Sequence, residues 1–218
     1  HARSVHVSLS KTTITAGEST GTCIVLSGKE DRGFVTYRGA VGRFEPSMID
    51  MDELSQGSHV HLAGFYNCTQ FQEPGSKCEG EEHRKRTDNF RQLCLMLRTV
   101  RRIREGGQTV SINPQFDGSG DWNSVMKMAQ LGLFDVVIVN ETECCAMAAK
   151  LAGQVFECEG EVPEDKFRAM ATSLAAAIST PHLTVLIVTR GPKGAIAFFG
   201  DVIEVSPPPI DADKVRDT

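Results

Sequence analysis

No stretch of the 218 residues approaches the roughly 18 consecutive apolar residues of a membrane-spanning helix. The opening HARSVHVSLS lacks the basic, apolar and small-residue succession of a signal peptide. Neither membrane insertion nor export is expected, although a targeting segment ahead of these residues would be hidden. There is no internal repeat. The seven cysteines, Cys23, Cys68, Cys78, Cys94, Cys144, Cys145 and Cys158, include no C-x-x-C pair and no zinc-type spacing. An odd, unpaired set suits free thiols in a reducing, cytoplasmic compartment. In that setting the N-x-T triplets at Asn67 and Asn140 are coincidences rather than glycosylation sites. A net charge of -5 excludes bulk attraction to nucleic acid.

What is present is an alternation. TCIVLS and GFVTY are β-rich runs around the polar GKEDR, a hairpin pattern. A short helix is expected over Ser47–Gln56, then a strand in HVHLAGF. The charged EPGSKCEGEEHRKR reads as a surface insertion. Helix 88–105 follows, with Asp88 as its cap and Gly106-Gly107 as its stop. TVSIN, FDVVIVN and LTVLIVT read as strands, alternating with helices in DWNSVMKMAQLGL, ETECCAMAAKLAG and PEDKFRAMATSLAAAIS. AIAFFG and VIEVS form a closing hairpin. Repeated strand–helix alternation with short links predicts an α/β fold: a mostly parallel sheet with helices on both faces, plus a small β appendage.

In helix 88–105 the apolar residues Phe90, Leu93, Leu97 and Val100 recur at helical spacing, which makes the arginines a solvated face. The competing reading, an anion or RNA dock, predicts salt-sensitive binding lost on charge reversal at Arg98, Arg101 and Arg102. His59 and His61 share one strand face, as two metal ligands would, but no third ligand accompanies them.

Ligands of such sheets bind beyond the carboxyl ends of the strands. Three segments place polar or glycine residues there: SINPQFD, VIVNETE and LIVTRGPKG. Asn113 and Asp117 of the first suit either binding or turn chemistry. Asn140 and Glu143 of the second have two readings. An amide and a carboxylate on one rim can orient hydrated magnesium and phosphates, and Asn-x-x-Glu is also a helix capping box. In the third, Gly191 and Gly194 let the backbone approach a phosphate, with Arg190 and Lys193 supplying charge nearby. The spacing does not match the P-loop pattern G-x-x-x-x-G-K-[ST], and a plain hairpin turn explains the glycines equally well.

Taken in order, FDVVIVNETE, LTVLIVTRGPKGAIAFF, VIEVSPPPI and VRDT resemble the ribokinase-like, or PfkB-type, carbohydrate kinases. TGTCIVLS, GFVTYRGA, HVHLAGFY and VSINPQFDGSGDW extend the resemblance from about Thr20 to the last residue. It implies a doubly wound, ribokinase-like body over residues 45–218 and a β lid over 10–44. It implies a kinase that uses ATP and Mg2+ to phosphorylate a hydroxyl of a small sugar or sugar-like substrate by in-line transfer. By the resemblance, Asn140 and Glu143 serve magnesium and the ATP phosphates, and Thr189, Arg190, Gly191 and Gly194 form the nucleotide turn. Arg190 stands where an apolar residue is commoner. Asp217 matches an aspartate that helps hold K+ in potassium-activated members. Arg38 and Gly39 match the lid over the sugar, and lid hairpins pair in homodimers of the family.

The family's Gly-Ala-Gly-Asp segment, an anion hole followed by the general-base aspartate, is expected beyond Thr218. Its N-terminal strand and glycine-rich segment have no counterpart before Val5. The expectation is therefore an internal fragment, inactive alone and incomplete at both ends. The alternative is a non-catalytic nucleotide- or sugar-binding regulatory relative that has lost the base. Neither a nucleic-acid nor a membrane partner is expected.

Overall fold

The computed structural model describes residues 12, 14–28, 32–68, 88–156, 162–179 and 184–205. Expectations for the insertion at 73–86, for Cys78, Cys158 and Asp217, and for the side chains of Phe90, Leu93 and Cys94 lie outside the described residues.

β-branched and aromatic residues make the first two strands, β1 (Thr22–Ser27) and β2 (Arg32–Tyr37). They pair antiparallel from Thr22↔Tyr37 to Ser27↔Arg32 and form a sheet of their own. Alternation sends Ile24, Leu26 and Val35 to one face and Val25 and Phe34 to the other, and all five are exposed. Gly39 holds the base of this hairpin. Its φ is 53°, and a Cβ there would lie 2.3 Å from the Ser19 carbonyl oxygen. Only glycine allows the two chain segments to close so tightly, joined by the Ala40 amide donating to Ser19 at 3.0 Å.

Among the described residues the second sheet has six strands in strict chain order: β3 (His59–Ala63), β4 (Thr109–Asn113), β5 (Val136–Asn140), β6 (Val185–Thr189), β7 (Ala195–Phe199) and β8 (Asp201–Val205). β3 to β6 run parallel, while β7 and β8 each reverse direction. The terminal hairpin is therefore present, and β6 to β7 is a second one. Among the described residues five α-helices accompany the sheets: α1 (Met51–Leu54), α2 (Asp88–Glu105), α3 (Asn123–Gln130), α4 (Glu141–Leu151) and α5 (Glu164–Ile178).

Right-handed crossovers between strands added in one direction place their helices on one face. Accordingly Ile112, Val137, Leu186 and Phe198, opposite one another across the ladders, are buried with Val100 and Ile103 of α2, Met128 of α3, Met147 of α4 and Phe167 and Leu174 of α5. Each such side chain contributes roughly 1.5–3 kcal/mol by leaving water. The mostly parallel α/β sheet expected from the sequence is present.

Some boundaries differ from expectation. The helix expected over Ser47–Gln56 is a 3-10 turn at Pro46–Met48 and the single turn of α1. Asp50 is the reason, because it lies in extended conformation and its side chain accepts from the Glu53 amide at 3.1 Å, starting a new helix. The capping expected of Asp88 involves side chains outside the described residues. α3 starts only at Asn123, since Trp122 is left-handed at φ 52°. Along α2, Leu97 is half-buried, Val100 and Ile103 are buried and Arg98, Arg101 and Arg102 are exposed, the pattern of a solvated basic face.

Candidate active site

The carboxyl ends of β5 and β6 carry the two motifs side by side. Asn140 and Thr189 are register partners, so the motifs meet although they lie far apart in sequence. The Asn140 side chain accepts from the Glu143 amide at 2.8 Å, and the Asn140 amide donates to Glu143 Oε2 at 3.0 Å. The capping-box reading is thus realised in full at the start of α4. Burial, opposed by the hydrogen bond from the Asn140 amide, raises the Glu143 carboxyl above its ordinary range. Asn140 itself is exposed on the rim. An amide oxygen and a carboxylate fixed in this way suit a hard cation, which takes oxygen ligands.

After Thr189, whose hydroxyl donates to the Val139 carbonyl at 3.4 Å, the chain makes a tight 3-10 turn over Gly191–Lys193. The Arg190 amide donates to the Gly194 carbonyl at 2.8 Å, and the Lys193 amide donates to the Arg190 carbonyl at 3.0 Å. Gly194, at φ 88° and ψ -134°, occupies a backbone region that side chains exclude. β7 then begins with Ala195 opposite Thr189, returning the chain along the same edge.

Arg190 does not reach over this rim. Its side chain turns onto the helical layer and is only 5% exposed. Nε donates to Glu141 Oε2 at 3.1 Å, while Nη1 and Nη2 donate to the two Glu164 oxygens at 3.1 and 2.6 Å. Its Cζ lies 4.1 Å from the centre of the Phe167 ring. The Glu164 hydrogen bond, opposed by burial and reinforced by Glu141, holds the guanidinium proton more tightly than usual, and Glu164 is correspondingly shifted down.

On the β4 side, Asp117 is buried and accepts from the Ser119 amide and hydroxyl at 2.9 and 2.7 Å and from the Trp122 amide at 2.8 Å. That is turn chemistry, one of its two readings. Asn113 offers its carbonyl to the Gly64 amide at 3.0 Å. Two non-glycine residues with positive φ, Gln115 and Trp122, bracket this loop. Trp122 packs edge-on against Tyr66 and Phe116, with centroids 5.4 and 5.6 Å away.

His59 and His61 join a polar ladder, with His59 on Thr109 Oγ1 and Ser111 Oγ at 2.7 Å each and His61 on Ser111 Oγ at 2.8 Å. Among the described residues no three His, Cys, Asp or Glu side chains gather as a metal cluster. Arg38 is exposed and Gly39 lies at the hairpin base. A cleft of about 620 Å3 separates this segment from β3, lined by Thr15, Val41, Phe44, Leu62 and Phe65 among others. Cys23 is exposed and Cys68, Cys144 and Cys145 are buried, and none of the four is in a disulfide. No helix among the described residues is long and apolar enough to cross a membrane.

The family model for pfkB family carbohydrate kinases matches residues 1–218. The chain belongs to that family. Among solved structures, this PfkB-family chain is similar to an adenosine kinase from Anopheles gambiae in complex with P1,P4-di(adenosine-5) tetraphosphate, at 17% identity and TM-score 0.64 over 92% of this chain and 52% of that one. It is similar to an adenosine kinase from Schistosoma mansoni in complex with 2-fluoroadenosine, at 19% identity and TM-score 0.64 over 94% and 53%. It is also similar to a protein described as a ribokinase II from E. coli, in complex with ATP and Mg2+, at 17% identity and TM-score 0.53 over 89% and 52%. These likenesses bear out the ribokinase-like fold and its small antiparallel sheet. No curated protein matches the PfkB-family chain in sequence. It spans about half the length of the solved structures it matches.

Glu141, Glu164 and Phe167 were not among the residues the sequence singled out. The contacts of Glu164 with Arg190 span 26 positions and that of Glu141 spans 49, and no local pattern marks either. The one available signal was Arg190 itself, a charged residue between a buried strand and a glycine turn.

Proposed function

We propose that the protein to which this chain belongs is an ATP- and Mg2+-dependent kinase that phosphorylates a hydroxyl of a small sugar or sugar-like substrate, nucleosides included, by in-line transfer. The observation that carries this reading is the Asn140↔Thr189 pairing, which sets the N-x-x-E box and the glycine turn on one rim of a PfkB-family chain. Asn140 and Glu143 would hold hydrated Mg2+, whose charge would offset that of the phosphates. Thr189, Gly191 and Gly194 would bring main-chain N–H groups to the nucleotide, where no Cβ at Gly191 or Gly194 obstructs close approach. Arg190 belongs to the same turn, and Lys193 is exposed at its tip. Arg38 and Gly39 are proposed at the lid over the substrate, and Asp217 beside a monovalent cation, K+ in an activated member.

The complexes described for the similar structures, with adenosine analogues and with ATP and Mg2+, support testing nucleosides beside sugars. The exposed Ile24, Leu26, Phe34 and Val35 support a homodimer through paired hairpins. The decisive measurement is ADP release by the full-length protein with Mg2+ and K+ present, over ribose, fructose, 2-keto-3-deoxygluconate and a set of nucleosides. Turnover on at least one is expected. Absence of turnover on all of them would count against the kinase reading.

A further inference from the structure

All three nitrogens of the Arg190 guanidinium donate to glutamates, and its main chain closes the glycine turn. Its guanidinium takes one oxygen of Glu141, in the first turn of α4, and both oxygens of Glu164, in the first turn of α5. It lies on Phe167, also from α5. Arg168 donates to Glu164 Oε1 at 2.9 Å, so Glu164 is shared between two arginines. A guanidinium held in this way is turned from the rim, and moving it toward a phosphate would break three charge-assisted hydrogen bonds. Yet the amide and the carbonyl of the same residue make the hydrogen bonds to Gly194 and from Lys193 that shape the turn.

We propose that Arg190 is a positioning residue: it pins the first turns of α4 and α5 to the 190–194 turn, and so fixes the glycine backbone relative to Asn140 without touching the phosphates. The bidentate fork supplies direction as well as attraction, because it sets the plane of the guanidinium against Glu164. Glu141 is next to Asn140 and Arg190 is next to Thr189, so the ion pair lies one residue beyond the last ladder pair of β5 and β6. It extends the register into the site at the point where the ladder stops. The consequence for nucleotide rests on the kinase reading above. The consequence for the turn does not.

The test compares full-length wild type with Arg190→Met, which keeps the stem over Phe167 but loses the fork, Glu164→Gln, which weakens one arm, and Arg190→Lys, which keeps the charge without the fork. Hydrogen–deuterium exchange of the 190–195 amides should quicken about tenfold or more in Arg190→Met, with protection in the middle of α5 retained. Titration with MgATP should show binding weakened about fivefold or more in Arg190→Met and Arg190→Lys alike. A merely structural arginine would lower the melting temperature without this local change. Turn exchange and MgATP affinity within about twofold of wild type would overturn the proposal, as would full rescue of affinity by lysine. If Arg190→Met does not fold, Glu164→Gln decides by the same two readouts. If wild type itself binds no MgATP, the kinase reading fails and exchange in the turn alone decides the positioning role.

Discussion

Asn140 and Thr189 end β5 and β6 opposite one another, and each is followed at once by one member of the Glu141–Arg190 ion pair. Two adjacent strands therefore finish on a polar pair facing the rim and a charged pair facing the helices. The first pair is the one proposed to face a ligand, and the second is the one proposed to hold it in place.

The two roles of Asn140 can be separated. Asn140→Ala should cost about 1 kcal/mol of stability through loss of the cap, measured by denaturant unfolding. Asn140→Asp keeps an equally good cap and should leave stability within about 0.5 kcal/mol of wild type, while changing Mg2+ affinity through the added charge. Equal unfolding midpoints for Asn140→Ala and wild type would remove the cap from the account.

Glu143 gives a pH signature. Its folded-state pKa is raised by burial, so the carboxyl does not weaken the fold while it is protonated in both states. Its unfavourable contribution develops as pH rises from the unfolded carboxyl value, about 4.3, through the raised folded one. Glu143→Gln should therefore gain stability relative to wild type as pH rises through that window, with the difference flat above it. The same variant should weaken Mg2+ binding at neutral pH. A stability difference independent of pH would contradict the assignment.

The two glycines of the turn should respond differently. At Gly191 a Cβ would meet nothing within 4 Å, so Gly191→Ala bears only the left-handed conformational cost, about 1 kcal/mol. Gly194→Ala enters a region that side chains avoid and should cost about 1–3 kcal/mol, together with loss of MgATP binding. Circular-dichroism melts of the two variants check the order, which the proposed turn geometry requires.

Trp122 is the only tryptophan in the chain and is 1% exposed, so its fluorescence reports on the loop between β4 and α3. Trp122→Phe should lose about 1–3 kcal/mol as the contacts with Tyr66 and Phe116 thin out. In wild type a red shift of its emission on unfolding should coincide with the loss of far-ultraviolet helix signal. An earlier shift would mean that the loop opens before the core.

The succession of strands and helices was legible because periodicity is a local property: the continuous apolar run VVIV and the alternating faces of α2 depend on neighbours within a few residues. The N-x-x-E motif was legible too, but in two ways that geometry does not force apart, since a capping box and an oxygen pair for a cation use the same atoms. Arg190 shows where sequence reasoning ended. As a charge beside glycines it suggested a phosphate contact, and its partners came from helices distant in the chain. The short helix over Ser47–Gln56 was read too long because Asp50 was not recognised as a cap in mid-segment.

The strict chain order of β3 to β8 has a bearing on how the molecule is made. Among the described residues, each strand from β4 to β8 pairs with the one synthesised immediately before it, and none of them is inserted between two already joined. A nascent chain can therefore add to a single growing edge as it leaves the ribosome, with β6, β7 and β8 closing the smallest loops of all. The rim that carries Asn140 and Thr189 would be assembled in the middle of that sequence, on an edge already supported from one side.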